Sequence, residues 1–387
     1  MLKKIALVMR FVLTVRCYLA QFLLSLWHSK IHNNSHTMNV LKQHLSLTIL
    51  CLCTLFSACQ KHEDNQIIET PKAASKKTQT SRAEIPAFPQ DCNEIDTSIK
   101  KLEKTVIVED LNDLNQLLKK CLASTPLKTR YQWQAKIEGI YQKLIADASP
   151  EVFQYMTDTL ADGQSMTAQQ KQELYKKLKP REKYLVDHAK DLYLAKFYIG
   201  EGEYTFVQHP QYDLDIFAPY LEKSDQVYFK QIRKEYTGAN YIMDAGLAIS
   251  FDEVANRLLY WEKFNKDYPN NHFKSQVVEN IEQYRSALFQ GEDNTRTLWF
   301  DDDKIADEQA IKAIEKIAKS KTASRPAAQK FVNLISASET LWQQMPKPSS
   351  QYPEDNSPEQ QDIRAQREAF EQKIRKSVEE ILAQKNN

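Results

Sequence analysis

Leu259-Tyr260-Trp261-Glu262-Lys263-Phe264-Asn265-Lys266-Asp267-Tyr268-Pro269-Asn270-Asn271 is the stretch on which the fold turns. Upstream of its Tyr-Pro-Asn the apolar residues keep helical spacing, which predicts a helix over 251–267. Downstream, Phe273, Val277, Ile281 and Tyr284 recur at intervals of three and four, which predicts a second helix over 273–289.

Working outward, the rest of the chain has the same texture. It holds seven glycines, all at or after Gly139, so the turns that an all-β domain needs are too few. Helix punctuation is frequent instead. Thr125-Pro126, Ser149-Pro150 and Ser357-Pro358 each put a capping hydroxyl before a proline, and Thr167 with Gln170 forms a capping box. Gly163, Gly200, Gly238 and Gly291 sit where helices would end. Helices are expected at about 127–146, 150–161, 167–179, 181–199, 224–237, 306–319 and 326–344, besides the two above. Before them, Ile95, Ile99, Leu102 and Val106 line one face, and Leu111, Leu114, Leu118 and Cys121 another, as an antiparallel pair would. The fold class is all-α.

The Tyr-Pro-Asn segment is similar to tetratricopeptide-type helical hairpins of bacterial envelope lipoproteins, in which these residues end one helix and start the next. The resemblance covers about thirty residues and implies stacked helical hairpins, solenoid-like or irregular, rather than a compact bundle. Leu192-Tyr193 with Lys196-Phe197 echoes Leu259-Tyr260 with Lys263-Phe264, about two such repeats earlier.

Charge separates the N-terminus from this domain. Residues 1–58 carry Lys3, Lys4, Arg10, Arg16, Lys30 and Lys42 and no acid, the first being Glu63, which marks a targeting region. Met38 opens its better-formed part: Lys42 and His44 make a positive head, and the largely apolar run 45–56 would span about 18 Å as a helix, short of a bilayer core. On this reading residues 1–37 are an over-extended frame and 38–58 a signal peptide. The alternative is a transmembrane helix over 5–27, which Arg10 and Arg16 interrupt.

The run closes on Leu55-Phe56-Ser57-Ala58-Cys59, which resembles a bacterial lipobox, with Phe56 where leucine is commonest. The resemblance implies a mature N-terminus at Cys59 carrying a diacylglycerol thioether and an N-acyl chain, enough for stable anchoring. Gln60, rather than aspartate, implies sorting to the outer membrane with the domain in the periplasm. Residues 59–90, rich in Lys, Ser, Thr, Gln and Pro with Phe88 as the one aromatic, form a flexible lipidated tether spanning about 30 Å. The helical domain is expected over 91–345, a Pro-rich joint over 346–357, and over 358–387 an amphipathic helix with Ile363, Phe370, Ile374, Val378 and Ile381 on one stripe. Such a helix either docks on its own domain or joins a partner.

Taking the six leader cations from 52 basic residues leaves 46 against 51 acids, a net charge of −5 that gives no pull toward nucleic acid. Cys17, Cys51 and Cys53 lie in the leader, so Cys92 and Cys121 remain to form one disulfide.

Chemical signatures are sparse. Metalloprotease, nucleophile-elbow and phosphate-loop motifs are missing, and no cofactor or metal is expected. His188 beside Asp187 is no acid-base pair by adjacency, because helix neighbours face apart. His62, His209 and His272 are dispersed, and Asp301-Asp302-Asp303 lacks the order of a calcium loop. The region from Tyr193 to Tyr241 is dense in aromatics. Tyr193, Tyr198, Tyr204, Tyr212, Tyr220, Tyr228 and Tyr236 are candidates for a glycan or peptide groove, the plainer reading being inter-helix packing. Three functions stay open: a non-enzymatic scaffold or adaptor for an envelope protein partner, which is favoured; a peptidoglycan-active enzyme; and a glycan- or peptide-binding lipoprotein.

Overall fold

The computed structural model describes residues 91–160, 166–200, 203–238, 241–301, 303–349 and 357–383. The expected targeting region, the lipid site at Cys59, the tether and most of the Pro-rich joint lie outside the described residues.

The described chain is mostly helical, and the expected all-α class holds. Helices α1 (Ile95–Lys104) and α2 (Val108–Cys121) form an antiparallel pair whose seam is the apolar set read from sequence: Ile95, Ile99, Leu102, Leu111, Leu114, Leu118 and Cys121 are each fully buried. Cys92, in a 3-10 turn ahead of α1, is disulfide-bonded to Cys121 at the end of α2, with the Cα atoms 5.6 Å apart. Across the closed end, Lys101 Nζ meets the buried Asp110 at 2.7 Å. Helix α3 (Leu127–Ala146) packs against α1. Its Lys143 ammonium donates to the free carbonyls of Glu103 and Lys104, which satisfies acceptors that a helix C-terminus leaves open.

Three short helices follow: α4 (Pro150–Leu160), α5 (Ala168–Lys177) and α6 (Pro180–Asp187). The capping box at Thr167 forms as expected: Gln170 N donates to Thr167 Oγ1 and Thr167 N to Gln170 Oε1. Ser149 and Ser357 accept from the backbone three residues on, but Thr125 turns back to donate to the carbonyl of Cys121.

The expected helix over 181–199 is corrected. It stops at Asp187, and after a turn the chain enters an antiparallel hairpin of β1 (Leu194–Gly200) and β2 (Glu203–Gln208). Phe197, Tyr198, Ile199, Tyr204, Thr205 and Val207 are aromatic or β-branched, types that fit a pleated surface better than a helix. Gly200 therefore ends a strand, and the echo between Leu192-Tyr193 and Leu259-Tyr260 is no structural repeat, one lying in a turn and the other in a helix.

Beyond a short α7 (Gln211–Ile216) and α8 (Lys223–Gly238), the chain stacks hairpins. Helices α9 (Phe251–Asp267) and α10 (Lys274–Phe289) pair across Tyr268-Pro269-Asn270-Asn271, where Asn271 Nδ2 donates to Tyr268 O at 2.7 Å. Helices α11 (Glu308–Lys319) and α12 (Arg325–Gln344) make the next pair, with α11 against α9. Buried Trp261, Val277, Leu288, Phe289, Ile314 and Phe331 belong to the shared core. Each is worth roughly 1.5–3 kcal/mol on burial. Helix α13 (Pro358–Ala383) docks back on α12 through Ile374, Val378 and Ile381, with the Arg367 guanidinium 3.5 Å from the centre of the Trp342 ring. Among the described residues no helix is long and apolar enough to cross a membrane.

Two polar contacts join these layers. Glu235 of α8 accepts from Trp261 Nε1 of α9 at 2.8 Å, from Tyr284 Oη of α10 at 2.6 Å and from Gln231 Nε2 at 2.7 Å. Glu262 of α9 is buried at the start of α12, where it accepts from the backbone N–H and hydroxyl of Ser324. Burial pushes both carboxyls above the usual range.

Two miniature hairpins, β3 (Ile242–Met243) with β4 (Gly246–Leu247) and β5 (Gly291–Glu292) with β6 (Thr295–Arg296), occupy the joints before α9 and α11. They interlock: Asn294 N donates to Ala245 O at 3.0 Å and Leu247 N to Thr295 Oγ1 at 3.0 Å. Asp244 and Ala245 turn the first with φ of 50° and 56°, a left-handed pair for which asparagine and glycine are better suited. Ala245→Gly is expected to raise stability by about 1 kcal/mol in urea unfolding. Gly291 has φ of +80°, and a Cβ there would come within 2.5 Å of Thr295 O and Thr297 N. Gly291→Ala is expected to lower stability by about 2 kcal/mol or more in the same assay.

Candidate functional site

The seven tyrosines do not gather on one surface. Tyr212 and Tyr228 are core side chains: Tyr212 donates to Asn115 Oδ1 at 3.1 Å, and Tyr228 stacks on Phe273 with centroids 4.7 Å apart. Tyr198 and Tyr204 face each other across the β1–β2 hairpin at 5.3 Å, and Tyr220 lies beneath the Arg130 guanidinium. Tyr236 meets His209 edge-on at 4.8 Å. Tyr193 lines a cleft.

That cleft, about 290 Å³, opens where the chain abandons helix for strand. Its walls are Gln116 and Lys119 from α2, Lys190 and Asp191 from the turn after α6, Tyr193, Leu194 and Ala195 at the start of β1, His209 after β2, and Gln211 and Asp215 from α7. Two backbone bonds of 2.7 Å hold the turn, from Leu194 N to Ala189 O and from His209 N to Tyr193 O. Between them Tyr193 takes φ of 51°, a left-handed conformation costly for a bulky residue.

Side-chain bonds fix the ring there. Tyr193 Oη donates to Asp215 Oδ2 at 3.0 Å, and Gln211 Nε2 donates to Asp215 Oδ1 at 2.7 Å. Burial, together with the bond to Asp215, pushes the Tyr193 phenol up to about 12, so it stays a donor at neutral pH. Tyr212 backs the ring edge-on at 5.4 Å, and the Lys119 ammonium lies 5.5 Å from its centroid. His209 is 6 % exposed, and its Nδ1 accepts from Gln211 N at 2.9 Å. Burial and the nearby Arg233 charge lower its pKa, so the imidazole is neutral at pH 7 and carries its proton on Nε2.

His188 Nδ1 lies 3.3 Å from Asp191, not against Asp187, which accepts from Tyr175 Oη at 2.5 Å. Asp301 Oδ1 accepts from the backbone of Asp303 and Lys304, and Asp303 pairs with Lys347 at 2.7 Å, so these two aspartates shape and tie a turn. A second, open depression has Glu292, Asp293 and Glu371 interleaved with Arg296 and Arg375. Among the described residues no group of three or more His, Cys, Asp or Glu is placed to hold a metal ion.

Lys119, Lys190, Gln211 and Asp215 were absent from the sequence-based candidates, because three separate segments contribute them and no motif spans the distance. Aromatic density points to Tyr193, whereas His209 stands alone in the sequence. No protein family, curated protein or solved structure matches the chain.

Behind the cleft, Asp213 of α7 accepts from Gln134 Nε2 at 3.2 Å. Burial foremost, with the Glu138 charge, pushes its carboxyl up to about 7. The unfolded group titrates at ~4, so between about pH 4 and 7 the folded state holds more protons than the unfolded one. Stability from this group therefore falls as pH rises through that window. Asp213→Asn is expected to raise the urea midpoint at pH 7 and to change it little at pH 4, which flattens the pH profile of stability.

Proposed function

We propose that this chain is a lipid-anchored lipoprotein of the bacterial cell envelope, whose helical domain serves as a scaffold or adaptor for other envelope proteins. The observation that carries the reading is Leu55-Phe56-Ser57-Ala58-Cys59 after an acid-free leader, followed by a polar stretch without the apolar content for a core. The bonded Cys92–Cys121 pair supports an oxidising compartment, since such crosslinks persist outside the reducing cytosol. Stacked hairpins support the adaptor role, because repeated helix pairs present extended faces to a partner. Gln60 after the lipid site favours the outer membrane, with the domain in the periplasm.

A second reading, a ligand-binding lipoprotein, is favoured by the Tyr193 cleft. It is compatible with the first, since an anchored adaptor can also carry a small-molecule site.

Mass spectrometry of the mature N-terminal peptide tests the anchor. The expected product begins at Cys59 with a diacylglycerol thioether and an amide-linked acyl chain, and Cys59→Ser is expected to leave the protein without lipid. A mature chain that begins upstream of Cys59, or a wild-type protein that stays in the aqueous phase on detergent partitioning, overturns the reading.

A further inference from the structure

The cleft beside Tyr193 has an imbalance that its own fold does not use. Both acids on its wall are engaged: Asp215 by Tyr193 and Gln211, and Asp191 by His188. Both ammoniums are not. Lys190 has no ion-pair or hydrogen-bond partner among the described residues, and Lys119 has only the face of Tyr193. A third donor belongs with them. His209 is nine-tenths buried and its Nδ1 accepts from Gln211 N, which leaves the Nε2 proton as a hydrogen-bond donor without a protein acceptor among the described residues.

The shape adds to this. Tyr193, Leu194 and Ala195 give the cleft an apolar wall, and the Tyr193 backbone is held in an uncommon conformation by a bond on either side. Strain of that kind persists where the surroundings impose it, and it concentrates at ligand clamps. A space of about 290 Å³ lies at the small end of ligand sites.

We propose that this cleft binds a small organic carboxylate, the carboxylate lying between Lys119, Lys190 and His209 and the apolar body resting on Tyr193, Leu194 and Ala195. A single negative charge suits it better than a phosphate dianion, because Asp191 and Asp215 place two negative charges on the same wall. Charge-assisted bonds supply most of the discrimination, and the aromatic face supplies area. The site stands whether or not the chain is lipid-anchored, since every residue in it belongs to the helical domain.

The test is calorimetric titration of the full chain, held in mild detergent, with hexanoate and benzoate against hexanol and benzyl alcohol, neutral molecules with the same carbon count. At least one carboxylate is expected to bind saturably, and at least about tenfold more tightly than its neutral counterpart, the value of a charge-assisted bond of ~1.4 kcal/mol. Lys119→Gln with Lys190→Gln, both on exposed side chains, is expected to remove that preference while leaving the circular dichroism and melting temperature unchanged. Inorganic phosphate at equal concentration is expected not to displace the carboxylate. Failure of both carboxylates to bind, equal binding of the alcohols, an unchanged preference in the double variant, or displacement by phosphate each overturns the proposal.

Discussion

A half-buried carboxylate on α8, held by donors from two other helices, is the contact on which the arrangement of the domain turns. Glu235 receives an indole N–H from α9 and a phenol from α10, so three helices share one acceptor. Apolar packing among them is non-directional and would tolerate sliding by a turn. A half-buried acceptor with three donors does not, because a shift leaves polar groups unpaired at a cost of roughly 1 kcal/mol each. Glu262 repeats the logic one layer further on, where an α9 carboxylate satisfies the N-terminus of α12. The stack therefore has a register as well as a core.

How much of this was legible in the sequence depended on whether a feature was local. The helix expected over 251–267 occupies Phe251–Asp267, and its partner expected over 273–289 occupies Lys274–Phe289, because apolar spacing and end signals lie within a few residues of each other. The expectation over 181–199 failed where two local signals conflicted. Leu185, Val186 and Leu192 carry a helical spacing, but the aromatic and β-branched run from Phe197 onward favours a pleat, and pairing with β2 decided the matter. No window of sequence contains that pairing, since it becomes visible only when Leu194 meets Gln208.

The cleft was illegible for the same reason, in stronger form. Lys119 and Lys190 are unremarkable surface lysines in sequence, and Asp215 reads as one more helix acid. Folding sets them apart: Asp215 takes Tyr193 and Gln211 as donors, while the two ammoniums meet no carboxylate among the described residues. Tyr193 drew notice because of its company of aromatics, yet most of that company is packing: Tyr212 and Tyr228 are core, and Tyr198 and Tyr204 are a cross-strand pair. The cleft lies at the longest of the strand hairpins that break the helical pattern among the described residues. Regular helices satisfy their own backbone and leave little concave surface. A turn into a strand exposes donors and a hollow together.

The bond between Cys92 and Cys121 has a mechanical side. Any pull that reaches the domain from the preceding chain arrives at Cys92 and crosses the sulphurs to Cys121, where it rejoins the main chain ahead of α3. The intervening pair of helices then hangs as a slack side-loop and bears no tension. Traction from the preceding chain is delivered straight into the body of the domain, and the first two helices cannot be peeled away ahead of it.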